Sequence, residues 1–167
     1  AAADERLGNF SMICQHITII PTMKALLADP HCMIDGFVGP GHVSMVIGME
    51  TYRFIAEQYH RPVVIAGFEP LDIIPAIYML LRQINDGRTV VENQYGRVVR
   101  PRGNLSALKA MAEAMELRPH FEWRGLGFIT HSALKLRDTF SDWDAEKRFK
   151  VPGLQIADPK ACQCGEV

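Results

Sequence analysis

The sequence predicts an α/β layered fold with a mostly parallel sheet flanked by helices, plus an irregular C-terminal arm. Three observations carry this reading. Short apolar runs alternate with helical patterns along the chain, as βαβ units require. The run PVVIAGF is continuously apolar, as a strand covered on both faces is. Between the runs, apolar residues recur at i, i+3, i+4 and i+7, the spacing of one helix face. With 167 residues, 48% of them hydrophobic and 22% charged, the chain can bury the core that such a fold needs.

The elements follow in order. Residues 10–14, FSMIC, form a first strand candidate in which Cys14 reads as a small buried thiol. A helix from about Pro21 carries Met23, Leu26 and Leu27 on its inner face. MIDGFVG is the next strand and ends at Gly39. The helix after it places Tyr52, Ile55, Ala56 and Tyr59 on one face and stops at His60-Arg61, because Pro62 disfavours a helical residue ahead of it. PVVIAGF follows as the central strand. Pro70 then opens a helix with Leu71, Ile74, Ile77, Tyr78, Leu81 and Ile84 inward, closed by Asp86-Gly87. Pro75 lies near enough to its start to be tolerated.

The second half is less regular. A strand is expected around Val90 and Val91, followed by a polar, basic loop. Asn104 suits the N-cap of a helix carrying Leu105, Leu108, Ala112 and Met115. FEWRGLGFI reads as a strand interrupted by glycines. Residues 1–138 are thus expected to form one α/β lobe, and residues 139–167, increasingly polar and rich in proline and glycine, a connecting arm.

Composition excludes several functions. Eighteen basic and nineteen acidic residues leave a net charge of −1, which offers no electrostatic footprint for nucleic acid. No apolar run approaches the ~18–20 residues that span a bilayer, so no membrane association is expected. The opening AAADERLGNF lacks the basic-then-apolar pattern of a signal peptide and reads as the tail of a helix. Four unevenly spaced cysteines do not make a disulfide framework; Cys32 sits in a loop, and a reducing, cytoplasmic setting fits.

In an open parallel sheet, ligands bind where strand ends lead into helices. Two loops stand at such places. GPGHVS, residues 39–44, follows one strand; its glycines allow close backbone approach, and His42 can ligate metal or move protons near neutral pH. GFEPLD, residues 67–72, follows the next strand and places Glu69 and Asp72 at a helix start, where the macrodipole favours negative charge. Both also have plain readings, as turn chemistry for the first and helix capping for the second. If the strands are neighbours, the loops open side by side on one edge. GPGHVS departs from the dinucleotide fingerprint, with Ser44 in place of the third glycine. There is no Walker lysine motif and no G-x-S-x-G elbow. ENQYGRVVRP, with Glu92 to Tyr95 beside Arg97 and Arg100, reads as a solvated loop. Taken alone, these features also fit a small α/β enzyme acting on a nucleotide or sugar phosphate, with His42 and Glu69 as acid–base groups.

The motifs occur together in an order that resembles one family. CQH (residues 14–16), GPGHVSMVIG, PVVIAGFEPLDI, VENQYGRVV, Gly103-Asn104, EWRGLG, DAEKRF and CGEV follow one another as in the HypD hydrogenase maturation factors. The resemblance implies a scaffold on which the Fe(CN)2CO group of NiFe hydrogenase is assembled, with a HypC-type chaperone and a HypE-type cyanide donor as partners. It also implies two α/β lobes facing a cleft and a further lobe holding a 4Fe-4S cluster. The motifs bordering that cleft fall here on Pro40, Gly41, His42, Val43 and Ser44, and on Gly67, Phe68, Glu69, Pro70 and, two residues further, Asp72.

The departures bear on metal. The family's Cys-Gly-Gly-His and Gly-Pro-Gly-Cys-Pro-Val-Cys motifs, which the resemblance makes responsible for iron and thiol chemistry, do not occur in this sequence. CGEV contains Cys164, the counterpart of the first cluster ligand. Cys162 is a second candidate, although its family counterpart is not regularly a cysteine. A cluster takes four protein ligands, so none is expected on this chain by itself, and the two thiols are expected to be free.

Overall fold

The computed structural model describes residues 1–149. They divide into two compact units, one from Pro30–Ala110 and one from Ala1–Asp29 together with the described chain from Met111 onward. The span 1–138 read from the sequence as one lobe therefore contains parts of both units.

The unit Pro30–Ala110 is built on a three-stranded parallel sheet in the order β1 (Phe37–Pro40), β2 (Val63–Ala66) and β3 (Val91–Asn93). Register is continuous: Phe37 faces Val63 and Pro40 faces Ala66, while Val63 faces Val91 and Ile65 faces Asn93. The central strand is buried at every residue, with Val63, Val64 and Ile65 at 0% exposure. Burying each such side chain contributes about 1.5–3 kcal/mol, which is why the run without polar alternation lies in the middle. Crossovers are helical, as parallel neighbours require. Between β1 and β2 the chain forms α2 (Gly41–Ile47), a 3-10 turn (Glu50–Tyr52) and α3 (Arg53–Gln58). The single helix expected there is broken at Gly48, whose φ of 80° lies outside the range of a helix. Of the expected inner positions Tyr52 and Ile55 are fully buried and Ala56 nearly so, whereas Tyr59, just past the end of α3, is half-buried.

Between β2 and β3 runs α4 (Pro70–Asn85), ended by Gly87 at φ 63°. Its bounds agree with the sequence expectation, and its orientation does not. Leu71 is 82% exposed, and Ile74, Ile77, Tyr78, Leu81 and Ile84 all face outward. Ala76, with Ile73, Met79 and Leu80, packs instead on Val64 and Ala66. The helix is apolar on both sides, and the sheet takes the side whose small Ala76 lets the backbone come close. Asp72 and Gln83 are buried on that inner side as well. After β3 a polar loop leads to α5 (Leu105–Ala114), where the Ala107 N–H donates to Asn104 Oδ1 at 3.1 Å, the cap expected of that residue.

The other unit contains α1 (Ile19–Ala28) and two antiparallel ribbons, β4 (Met115–Leu117) with β7 (Leu134–Leu136) and β5 (His120–Trp123) with β6 (Gly127–Thr130). Residues 121–129, expected as one interrupted strand, fall within a hairpin. Leu126 N–H donates to Trp123 C=O at 3.1 Å across the turn, and the glycines supply its positive φ angles. FSMIC is not a strand. Met12 makes one isolated bridge with Asp144, which lies between a 3-10 turn (Asp138–Trp143) and α6 (Ala145–Arg148) and cannot continue a ladder. The amino-terminal segment, hydrogen-bonded turns where the sequence suggested a helix tail, is held by side chains: Trp143 Nε1 donates to Leu7 C=O and Arg148 Nη2 to Gly8 C=O. Cys14 is buried as expected, its thiol donating to Leu134 C=O, and burial pushes its pKa up.

Candidate functional site at the carboxyl edge of the parallel sheet

The parallel register brings Pro40 beside Ala66 and Ile65 beside Asn93, so the loops after β1, β2 and β3 leave from one edge. GPGHVS and GFEPLD lie side by side there. The His42 ring packs on the Phe68 ring with centroids 4.6 Å apart, and lies 6.5 Å from the Tyr95 ring. His42, Phe68 and Glu69 are exposed, Val43 is 42% exposed, and Pro40 is half-buried at the strand end.

Two glycines let the loops approach so closely. A Cβ at Gly41 would collide with the Ala66 carbonyl and the Tyr95 ring, and one at Gly67 with the Asp72 carboxylate and the same ring. Ser44, fully buried, does not face the edge: its hydroxyl donates to Pro40 C=O at 2.7 Å and lies 3.1 Å from the Tyr52 hydroxyl. Its place in the motif is explained by closing the first turn of α2.

Glu69 is the N-cap residue of α4 without capping through its side chain; its carbonyl accepts from Asp72 and Ile73 N–H, and Pro70 supplies the first helical position. The carboxylate of Glu69 is left at the surface. Asp72 differs. At 2% exposure it accepts from Arg97 through both oxygens, at 2.6 and 2.7 Å, and from Gln94 Nε2 at 3.4 Å. The Arg97 hydrogen bonds hold the Asp72 carboxyl below its ordinary pKa against the opposing effect of burial, and the same pair raises Arg97. The Arg97 guanidinium also lies over the Tyr95 ring, 4.3 Å from its centroid, and feels the Glu69 carboxylate.

The third loop is thus part of the site, whereas its sequence reads as solvated polar chain. Gln94 and Tyr95 N–H both donate to Ile65 C=O, stitching the loop to the end of β2. The signal available in the sequence was VENQYGRVV as a motif in register with the other two loops. Asn93 Oδ1 and Gln94 Oε1 are buried without a hydrogen-bond partner among the described residues, so the loop holds two acceptors for a donor from ligand or water. The edge therefore combines an imidazole, a surface carboxylate, a fixed guanidinium and two aromatic rings.

Metal is a separate matter. Among the described residues no group of three or more His, Cys, Asp or Glu side chains could hold an ion. Cys14 is a buried free thiol and Cys32 a half-buried one, and Cys162 and Cys164 lie outside the described residues. Nor is any described helix long and apolar enough to cross a membrane.

Comparison with known proteins agrees with the motifs. The profile of the family described as "HypD: Hydrogenase formation hypA family" matches residues 1–167. The hydrogenase maturation factor HypD of Rhodobacter capsulatus is 50% identical over 170 residues, covering 99% of this chain and 45% of the relative. HypD of Rhizobium leguminosarum bv. viciae is 49% identical over 173 residues, with 100% and 45% covered. HypD of Escherichia coli K12 is 48% identical over 159 residues, with 95% and 43% covered. The chain spans less than half the length of these curated relatives. With a family match over its whole length, the chain belongs to the HypD family of hydrogenase maturation factors.

Proposed function

We propose that this chain forms part of a scaffold on which the Fe(CN)2CO group of NiFe hydrogenase is assembled, in the cytoplasm, together with a HypC-type chaperone and a HypE-type cyanide donor. The observation that carries the reading is the meeting of three family motifs at one sheet edge, with His42, Glu69 and Arg97 presented by interlocked loops. In this role the iron group is cargo. His42 and Glu69 orient its ligands or exchange hydrogen bonds with them, and Arg97 is kept in place by Asp72. None of the three needs to bind iron directly, since outer groups of this kind act by orienting what the direct ligands hold. A 4Fe-4S cluster belongs to the reading only through Cys164 and, second, Cys162, both outside the described residues.

Glu69→Gln tests the reading in the complete protein, because it keeps size and most hydrogen bonding while removing the charge. In cells lacking their own HypD, hydrogenase maturation falls by ~10–100-fold, the usual loss for an outer-shell partner. Glu57→Gln, on the exposed side of α3, changes almost nothing. Equal hydrogenase activity for both variants and the unchanged protein removes the functional role of GFEPLD.

A further inference from the structure

The side chain of Tyr95 lies where the three loops of the sheet edge meet. Its backbone is pinned first. Tyr95 N–H donates to Ile65 C=O at 3.2 Å, and its own C=O accepts from Val98 and Val99 N–H at 3.1 and 3.0 Å. The ring is then gripped at opposite carbons. A Cβ at Gly41 would lie 2.6 Å from Tyr95 Cδ1, and one at Gly67 would lie 2.7 Å from Cε2. Only glycines leave a slot of that width, and a ring filling it has little room to turn. One glycine comes from each of the two motifs that follow β1 and β2.

Two polar side chains of the site sit against this ring. The Arg97 guanidinium lies 4.3 Å from its centroid, and the His42 ring, tilted by 52°, lies 6.5 Å from it. Phe68, the other ring beside His42, is 60% exposed, so the half-buried Tyr95 is the firmer of the two neighbours. We infer that Tyr95 is a positioning residue for assembly of the iron group, acting through His42 and Arg97. Its clasped ring holds their side chains at one spacing and one orientation. Such precision matters, because a displacement of about 1 Å can cost about 100-fold in rate.

The inference rests on the reading of this edge as the place where the iron group is handled, and its test separates the two. In the complete protein, Tyr95→Leu leaves an apolar side chain in the slot without the ring, whereas Tyr95→Phe removes only the hydroxyl. Gln83→Leu, at the far end of α4, controls for plain destabilisation. In cells lacking their own HypD, maturation per soluble molecule should fall about 10–100-fold with Tyr95→Leu. Tyr95→Phe should restore it, and Gln83→Leu should leave it within about twofold of the unchanged protein. Tyr95→Met, flexible enough to fill the slot, is read in place of the leucine variant where that one is insoluble.

The second readout needs no activity. Nuclear Overhauser transfer between the His42 and Phe68 rings, 4.6 Å apart, should persist in Tyr95→Phe and Gln83→Leu and weaken in Tyr95→Leu. Glu69→Gln without effect removes the reading of the edge, while transfer that persists in Tyr95→Leu removes the positioning. The inference is also overturned if Tyr95→Leu supports maturation as the unchanged protein does, if Tyr95→Phe falls as far as Tyr95→Leu, or if Gln83→Leu loses as much per molecule.

Discussion

Asp72 in the first turn of α4 and Arg97 in the loop after β3 meet end-on, carboxylate to guanidinium, at 2.6 and 2.7 Å. Residues 25 apart in sequence are thereby joined at one sheet edge, and Asp72 is nearly inaccessible while Arg97 remains 55% exposed. The pair is bidentate, the geometry in which arginine cannot be replaced by lysine without loss.

Asp72→Asn removes the charge and one of the two matched acceptors, while Arg97→Gln removes both donors. Each is expected to lower the thermal midpoint by several degrees. The double variant should be no worse than the poorer single one, because the two changes break the same contact. Amide exchange at Gln94 and Tyr95, which anchor the loop on Ile65, should quicken in all three. Additive losses would show that the residues act separately.

Acid should weaken the same contact. The Asp72 pKa is lower in the folded chain than in the unfolded one, chiefly through the Arg97 hydrogen bonds. The unfolded state therefore binds the proton first as pH falls. The stabilisation is full above the ordinary aspartate value of about 3.9 and is lost as pH falls through the depressed folded value. Urea titrations should show the unchanged chain and Asp72→Asn differing most near neutrality and converging in acid. Asp138 is shifted in the same direction by Lys147 at an exposed position, and Asp138→Asn should leave the pH profile almost unaltered.

The sheet's central strand, the bounds of α4 and the adjacency of its two flanking loops were all legible in the sequence. Each depends on short-range signals: a continuous apolar run, a proline start with a glycine stop, and loops directly following strands. The inner face of α4 was not legible, because a helix with apolar residues on both sides gives two candidate stripes, and Ile73, Ala76, Met79 and Leu80 won by fitting β2. The third loop was missed for a different reason. Gln94, Tyr95 and Arg97 are polar or amphipathic, and only their distant partners, Ile65 and Asp72, turn them into structure. The hairpin at residues 120–130 hid because its turn glycines read as interruptions of a single strand.

Gly67→Ala is expected to open the site without disturbing the sheet. The added methyl would meet the Asp72 carboxylate and the Tyr95 ring, both already fixed by Arg97. Overpacking of this kind costs about 1–3 kcal/mol, and the cost should fall once Arg97→Gln releases the carboxylate. Chemical denaturation of the single and double variants measures this coupling. Gly8→Ala, where the structure leaves open space, should be close to neutral.

Gln83 supplies the last case. It is fully buried on the inner side of α4, yet both ends of its amide are used. Its Oε1 accepts from Val90 N–H at 3.0 Å, and its Nε2 donates to Glu92 Oε2 at 2.9 Å, so one side chain ties the helix to the start of β3. Gln83→Leu keeps much of the packing but leaves the Val90 N–H without that acceptor, a loss of about 1–3 kcal/mol. Gln83→Glu keeps an acceptor for Val90 while setting a second carboxylate against Glu92. It should therefore be the more damaging change at neutral pH and recover as pH falls and the carboxylates take up a proton. The leucine variant has no such group and should not recover. Denaturant midpoints of the two variants at neutral and mildly acid pH, with exchange of the Val90 amide, decide the matter. A glutamate variant as stable at neutral pH as the leucine variant would mean that β3 is held by its pairing with β2 alone.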